Sequence, residues 1–99
     1  MNFSNRCYEM LTQVPSGRVT TYKAIANALN SKAYRAVGTA MKNNPNAPQV
    51  PCHRVVNNDS RIGKYAYGVE KKIELLKTEG INVINGKVVN FAKVFYDFN

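Results

Sequence analysis

The stretch of residues 43–48 constrains the fold of this chain more than any other feature of its sequence. It consists of Asn-Asn-Pro-Asn-Ala-Pro, with three asparagines and two prolines. Proline lacks the N–H group that a helix interior needs, and asparagine favours turns, so these residues must form a loop. With 99 residues the chain is expected to be one small domain, residues 1–99, with this loop between its two halves.

Residues 2–17 have the pattern of an amphipathic helix that ends in a turn. Asn2 or Ser4 can cap the helix, and apolar residues at helical spacing form one face. These apolar residues are Phe3, Cys7, Met10, Leu11 and Val14. Cys7 is therefore interpreted as a small core residue. The run Pro15-Ser16-Gly17 ends the helix.

Two further short helices are predicted before the loop. Thr20 or Thr21 can cap a helix over Tyr22–Leu29. Ser31 can cap another helix that runs to about residue 42. Two short helices joined by a tight turn suggest a helix-turn-helix, the motif that places its second helix in a DNA groove. A plain helix bundle is the alternative, because alanine-rich helix pairs also occur there.

The second half of the chain alternates short elements with turns. Residues 50–56 include the run PCHRV, and a fourth helix is predicted over Val69–Glu79, with Gly80 just after its end. Ile81–Val89 is predicted to form a hairpin, because Asn85-Gly86 suits a type I′ turn. A hairpin in this place is a wing, so the predicted fold is mainly α with small β, a winged helix-turn-helix DNA-binding domain. The aromatic tail Phe91–Asn99 is expected to pack over an edge of the core or to bind a partner.

Charge is unevenly distributed along the chain. The net charge is +8, and none of the six acidic residues falls between residues 10 and 58. The cations of that segment are Arg18, Lys23, Lys32, Arg35, Lys42 and Arg54. A basic segment without acids suits phosphate groups, so nucleic acid is the favoured partner. A solvated basic face is the simpler alternative, and anionic lipid is a weaker one because no strongly amphipathic basic helix occurs.

Membrane, secreted and metal-binding classes are disfavoured. No apolar run approaches the ~20 residues of a membrane span, and the first residues lack the apolar region of a signal peptide. We therefore expect an intracellular protein, either cytoplasmic and nucleoid-associated or nuclear. The soft ligands are Cys7, Cys52 and His53, which are too few for a closed zinc site, so no metal is expected.

Cys52 and His53 form the candidate catalytic pair. A cysteine attacks as its thiolate, and an ordinary thiol with a pKa of ~8.5 is only slightly ionised at pH 7. His53 is the one histidine of the chain and the natural base. Its orienting group would be Glu79, Glu74 or Asp59. Taken alone, however, a Cys-His dipeptide is more often a structural thiol beside a satisfied imidazole than a catalytic pair.

The order of several short runs changes that balance. They are Arg35-Ala36-Val37-Gly38, Asn44-Pro45, Pro51-Cys52-His53-Arg54-Val55, Gly63, Tyr65-Ala66-Tyr67-Gly68, Lys72, Leu75-Leu76 and Glu79-Gly80. From about Phe3 to Val89 the chain resembles the DNA-binding, active-site domain of the O6-alkylguanine-DNA alkyltransferases (methylated-DNA–protein-cysteine methyltransferases). The resemblance implies a winged helix-turn-helix that transfers one alkyl group per molecule, irreversibly and without a cofactor. It also implies that the N-terminal domain usual in this family is absent.

The resemblance implies catalytic roles for four residues. Cys52 is expected to be the nucleophile, and His53 to act as its base through a water. Glu79 is expected to orient His53. Asn44 is expected at the hinge between the recognition helix and the active-site loop.

The resemblance also implies the partner, which is double-stranded DNA that carries alkylated guanine, bound by a monomer of the protein. Arg35 is expected to enter the base stack from the minor groove as the damaged nucleotide is flipped out, and Tyr22 to press on its phosphate. Tyr65 is expected to hold the guanine. The other expected base-pocket residues are Pro51, Val55 and Ala66. The other expected DNA-contacting residues are Lys32 and the small residues Ala33, Ala36 and Gly38. The small residues allow the third helix to approach DNA closely; the alternative is that they allow close packing between helices.

Some residues depart from the family pattern, and two other functions remain open. Ala47, Ser60, Lys64 and Ala66 stand where the family usually has other residues. The first alternative is an alkyltransferase-like protein that recognises damage without repairing it; those proteins replace the cysteine, commonly by tryptophan, whereas this chain has Cys52 and no tryptophan. The second alternative is a winged-helix transcription regulator, which leaves Cys52, His53 and Tyr65 unexplained.

Overall fold

The first helix, α1, spans Phe3–Leu11 in the computed structural model, which describes residues 2–98. The Asn2 side chain caps it by accepting a hydrogen bond from the Asn5 backbone N–H at 2.8 Å, as predicted. The helix ends at Leu11, earlier than its apolar pattern suggests. Val14, the last residue of that pattern, reaches the core from the turn that follows. Cys7 is fully buried, which confirms its assignment to the core.

The helix-turn-helix consists of α2 over Tyr22–Ala28 and α3 over Tyr34–Lys42. Thr21 caps α2 by accepting a hydrogen bond from the Ala24 backbone N–H at 3.0 Å. The prediction that Ser31 caps α3 is wrong. The Ser31 hydroxyl accepts a hydrogen bond from the Ala33 N–H instead, at 3.0 Å, so it closes a local turn before the helix begins.

A short parallel sheet joins the two halves of the chain. Strand β1, Thr20–Thr21, pairs with β2, Val55–Val56, and Cys52–Arg54 form a single 3₁₀ turn just before β2. Successive strand residues face opposite sides. Val55 accordingly joins the core packed by α1 to α3, while Val56 joins a second core with residues from α4, β4 and neighbouring loops. The loop predicted at 43–48 lies between α3 and this turn.

The remaining elements follow the predicted order. Helix α4 spans Val69–Thr78, and strands β3, Val83–Ile84, and β4, Lys87–Val88, form an antiparallel hairpin. The turn residues Asn85 and Gly86 have φ values of 52° and 75°, as a type I′ turn requires. The structure therefore confirms a mainly α domain with small sheets, a helix-turn-helix and a hairpin in the place of a wing.

Asn99 lies outside the described residues, and the rest of the tail packs over an edge of the core, which is the first of the two predicted alternatives. It forms α5 over Phe91–Val94, and the Val19 N–H donates a hydrogen bond to the Val94 carbonyl at 2.9 Å. The Tyr96 N–H in turn donates to the Val19 carbonyl at 2.7 Å. No helix within residues 2–98 is long and apolar enough to cross a membrane.

Candidate functional site

Cys52 lies in a surface cleft of about 670 Å³ between the helix-turn-helix and the loop before α4. The residues that line the cleft are Tyr22, Gly38, Met41, Lys42, Cys52, Asn57, Gly63, Lys64, Tyr65 and Ala66. Cys52 begins the 3₁₀ turn and is 4% exposed, while the buried Pro51 precedes it and accepts a hydrogen bond from the Arg54 N–H at 3.0 Å. We call this space the Cys52 cleft.

Glu79 holds His53 in a way that fixes the tautomer of its neutral ring. Its Nε2 lies 3.0 Å from Glu79 Oε2, and a carboxylate can only accept, so Nε2 carries the hydrogen. In the neutral ring Nδ1 then keeps a free lone pair. This atom is buried and has no hydrogen-bond partner among the described residues. Burial lowers the pKa of His53 despite the opposing effect of Glu79, which favours the neutral, proton-accepting ring.

Glu79 caps the C-terminal end of α4 and binds two cationic or polar partners at once. Arg54 Nε donates to Oε1 at 2.9 Å and Arg54 Nη2 donates to Oε2 at 2.7 Å, beside the His53 contact. Burial alone would raise the pKa of Glu79, but the hydrogen bonds from Arg54 and His53 outweigh it and lower the pKa. Of the three predicted orienting candidates, Glu79 is therefore the one in place. Glu74 pairs with Lys71, and Asp59 with Arg61.

Arg54 does not belong to the phosphate-facing cations, which corrects the sequence interpretation. Besides Glu79 it binds the Val14 carbonyl through Nη1 at 2.8 Å, and its side chain is only 16% exposed. The adjacent carboxylate and carbonyl draw the guanidinium inward, where it neutralises the Glu79 charge. Glu79 follows Arg54 by 25 residues, a stretch that includes an irregular loop and α4. Sequence spacing therefore gave no signal for this contact.

Two tyrosines line the Cys52 cleft. The Tyr65 ring meets His53 edge-on with 6.5 Å between ring centres, and it meets Tyr67 in the same way at 5.6 Å. Burial, and next the Cys52 charge, raise the pKa of Tyr65 to about 12, and the same two causes raise the pKa of Tyr22. Both phenols therefore stay protonated hydrogen-bond donors at neutral pH.

The other predicted base-pocket residues lie near this site. Val55 is fully buried at the start of β2, directly after the Cys52 turn. Ala66 is exposed on the cleft wall beside Tyr65. Pro51 is buried on the other side of Cys52 in the chain. The structure thus brings Tyr65 and Ala66 to the cleft that holds Cys52, whereas Val55 and Pro51 are buried beside it and do not line it.

Asn44 fixes the loop between α3 and the Cys52 turn. It is 8% exposed, and its Nδ2 donates to the Val50 carbonyl at 2.7 Å. Its Oδ1 accepts from the Asn46 N–H at 3.0 Å. Both ends of the side-chain amide are therefore used to brace the loop, and Asn44 is placed between the two elements that the hinge prediction names.

The start of α3 presents the remaining predicted residues to the surface. Lys32, Ala33 and Arg35 are exposed, and Ala36 and Gly38 are half-buried. A Cβ added at Gly38 would meet no heavy atom within 4 Å. Helix packing therefore does not explain the glycine at this position, and the space beside it is open to a partner. Gly38 also lines the Cys52 cleft.

Sequence reasoning missed Lys72. Lys72 shares the helical spacing of the apolar residues Val69, Ile73 and Leu76, which predicts only that its aliphatic stem packs inward. The whole side chain is buried, and its Nζ donates to the Val55 carbonyl at 2.7 Å and to the Lys64 carbonyl at 3.0 Å. The one available signal was a lysine at a core position of the helical pattern.

Comparison with known proteins matches most of the chain to one family. The model of the 6-O-methylguanine DNA methyltransferase DNA-binding domain matches residues 2–81. A methylated-DNA–protein-cysteine methyltransferase of Thermococcus kodakarensis is 51% identical over 80 residues, which are 80% of this chain and 45% of that protein. A bifunctional methyltransferase/endonuclease of Picrophilus torridus is 39% identical over 82 residues, 82% of this chain and 28% of that protein.

Solved structures agree with this match. Mycobacterium tuberculosis OGT in complex with DNA superposes with a TM-score of 0.77 at 36% identity, over 80% of this chain and 50% of that one. S. pombe Atl1, in complex with damaged DNA containing O6-carboxymethylguanine, superposes with a TM-score of 0.83 at 28% identity, over 95% of this chain and 94% of that one.

The extent of the match differs between these relatives. The chain spans about half the length, or less, of the curated methyltransferases cited above. Within its own length, the family match covers α1 to α4, the Cys52 turn and Glu79, and so includes the whole site described above. The chain belongs to the family of 6-O-methylguanine DNA methyltransferases, matched through their DNA-binding domain.

Proposed function

We propose that this protein repairs DNA by moving an alkyl group from the O6 atom of guanine to Cys52. The observation that carries the proposal is the placement of Cys52 in an open cleft, next in sequence to His53, whose pKa burial lowers and whose ring Glu79 orients. A transcription regulator with the same fold has no use for this arrangement. The similarity to named methyltransferases adds support.

The proposed reaction is a single displacement. His53 Nδ1, through a bridging water, takes the proton of the Cys52 thiol. The Cys52 Sγ then forms a bond to the alkyl carbon while the bond between that carbon and guanine O6 breaks. The electron pair stays on the guanine, which takes up the proton that the thiol lost. The products are an S-alkylcysteine and an unmodified guanine, and each protein molecule acts once.

The reacting atom lies inside the duplex, so the nucleotide must first be flipped out. Arg35, exposed at the start of α3, fills the gap from the minor groove, where its charge also meets a negative potential. Tyr22 presses on the phosphate of the flipped nucleotide. Tyr65 and the backbone around Val55 and Ala66 hold the base against Cys52.

The DNA-facing surface is the exposed part of α3. Lys32 contacts phosphate there, while Ala33, Ala36 and Gly38 allow the helix to approach closely. The partner is double-stranded DNA, bound by one copy of the protein, without a metal or cofactor. This function places the protein in the compartment that contains the DNA.

A second candidate function is recognition of alkylated DNA without repair. The observation that favours it is the similarity to S. pombe Atl1, which extends over nearly the full length of both chains. Cys52 argues for transfer instead, because a protein that only binds the lesion does not need a thiol in its cleft beside a base.

Intact-mass measurement after mixing with an oligonucleotide duplex that contains O6-methylguanine separates the two functions. Transfer adds one methyl group to the wild-type protein and none to Cys52→Ala, which still binds the duplex. The Cys7→Ala variant is the matched control, and it should gain the methyl group as the wild type does. Binding of the lesion without a mass gain would reject transfer and support the damage-recognition function.

A further inference from the structure

Tyr34 is an exposed aromatic residue at the start of α3. It is the first residue of that helix, and 41% of it is exposed. Within residues 2–98 its side chain has no hydrogen bond, ion pair or ring contact. Tyrosine is also a poorer helix former than alanine. Neither a partner inside the protein nor helix formation therefore accounts for an aromatic ring at this position.

Tyr34 lies on the face of α3 that borders the Cys52 cleft. Residues four apart on a helix stand one above the other on the same face. Tyr34 precedes Gly38 by four residues and Met41 by seven, and both of these residues line the cleft. Tyr34 is not itself a lining residue, so it stands at the outer end of the cleft, beside the exposed Arg35.

An open space on α3 connects this outer end with the cleft. Gly38 lies between Tyr34 and Met41 on the same face, and a Cβ added at Gly38 would meet no heavy atom within 4 Å. The backbone of α3 is therefore uncovered at Gly38, and the space above it belongs to the Cys52 cleft. A group that lies in the cleft along α3 would cross Gly38 and have Tyr34 at its outer side.

The chemistry around Tyr34 suits a nucleotide. Lys32 and Arg35 are exposed close to it in sequence, and no acid occurs between residues 10 and 58. Cations suit phosphate groups, and an exposed aromatic ring among them suits the sugar and base of a nucleotide outside the stack. The nucleotide that Arg35 replaces in the duplex must pass along this face of α3 to reach Cys52.

We propose that Tyr34 forms the outer wall of the site for the flipped nucleotide, with its ring packed against that nucleotide above Gly38. The inference rests on the proposed function, which supplies the flipped nucleotide. Arg35 stabilises the duplex that has lost a base from its stack, while Tyr34 stabilises the nucleotide that has left. Tyr34 therefore adds to the affinity for damaged DNA and not to the affinity for intact duplex.

The test measures how well the protein discriminates between two duplexes in the Cys52→Ala background, where no alkyl group can move to Cys52. Fluorescence anisotropy gives the Kd for a duplex with one O6-methylguanine and for the same duplex with guanine. Tyr34→Ala should weaken binding to the lesion duplex about tenfold and leave the guanine duplex unaffected. Tyr34→Phe should restore the discrimination, because the ring makes the contact.

Ile84→Ala is the matched control for the loss of an exposed apolar side chain. Ile84 is 62% exposed and lies on the β3–β4 hairpin rather than on α3. The ratio of the two Kd values should be the same in Ile84→Ala as in the parent. Tyr34→Ala is expected to fold, because it removes an exposed ring and alanine favours helix, and circular dichroism checks this.

The salt dependence of binding separates Tyr34 from the cations near it. The Tyr34 ring is uncharged and releases no counterion, so Tyr34→Ala should keep the parent's slope of log Kd against log salt concentration. Lys32→Ala should weaken binding to both duplexes alike and reduce this slope by about one. A reduced slope in Tyr34→Ala would overturn the inference.

Three other results would also overturn it. They are an unchanged ratio of Kd values in Tyr34→Ala, an equal loss of affinity for both duplexes, and a Tyr34→Phe protein as weak on the lesion duplex as Tyr34→Ala. The binding assay contains no transfer step, so it is independent of the chemistry at Cys52. If the protein with Cys52 intact never gains a methyl group, the proposed repair fails, while a selective loss in Tyr34→Ala still supports the role of Tyr34.

Discussion

Replacing Glu79 by glutamine should destabilise the protein strongly, although the substitution keeps the size of the side chain. Glu79 accepts three hydrogen bonds, one from His53 and two from Arg54, and its side chain is only 14% exposed. Glutamine has one acceptor oxygen, so at least one charge-assisted hydrogen bond is lost and the Arg54 charge is left without a counterion. One such bond contributes about 1.5–3 kcal/mol. For a domain of this size the melting temperature should fall by roughly 10–20 °C.

The pH dependence of this difference identifies its cause. The folded pKa of Glu79 is lowered, so its contribution to stability is complete above the unfolded value of about 4.3 and is lost as the pH falls through the folded pKa. In thermal melts followed by circular dichroism, the difference in melting temperature between wild type and Glu79→Gln should be complete at pH 7. This difference should become smaller below about pH 4.

Glu74→Gln is the matched control for this experiment. Glu74 lies on the same helix, is 67% exposed and pairs with Lys71 at 3.6 Å. Such surface pairs contribute about 0–1 kcal/mol, so its melting temperature should change little. A Glu79→Gln protein as stable as Glu74→Gln at pH 7, or a difference that does not change with pH, would refute the ionic link between Glu79, Arg54 and His53.

Three further predictions concern the DNA-facing surface. Gly38→Ala should raise the free energy of unfolding by up to about 1 kcal/mol in chemical denaturation, because alanine favours helix and its Cβ meets no heavy atom within 4 Å. The same substitution should weaken binding to lesion duplex in a fluorescence anisotropy assay. An unchanged affinity would contradict the role of Gly38 in close approach to DNA. Arg35→Ala should slow methyl transfer from duplex but not from the free O6-methylguanine base, as judged by intact mass; equal slowing on both would contradict its role in flipping. The dissociation constant for duplex should rise with salt, since phosphate contacts release counterions, and a salt-independent value would contradict the basic-face argument.

The secondary structure was largely predictable where local chemistry decides it. Asn2 and Thr21 start their helices by accepting backbone hydrogen bonds within one turn, and the Asn85-Gly86 turn needs only positive φ values. These interactions involve neighbours in sequence. Ser31 shows the limit of such reasoning, because its hydroxyl can satisfy either a helix start or a tighter turn, and the structure has the turn.

The arrangement of the site was predictable only through the family resemblance. The pairing of β1 with β2 and the contact between His53 and Glu79 join residues far apart in the chain, which periodicity does not encode. Arg54 and Lys72 show this most clearly. The charge pattern assigns Arg54 to the phosphate-facing surface, and the helical pattern buries only the stem of Lys72, yet carbonyls and a carboxylate from distant segments hold both charged groups inside.

The most direct measurement counts the methyl groups that each protein molecule removes and locates them. The protein is mixed with an excess of O6-methylguanine duplex, and peptide mass mapping follows the product over time. We predict a plateau at one methyl group per molecule, carried on Cys52. Continued turnover, a methyl group on another residue, or no transfer by a folded protein that binds the duplex would contradict the account.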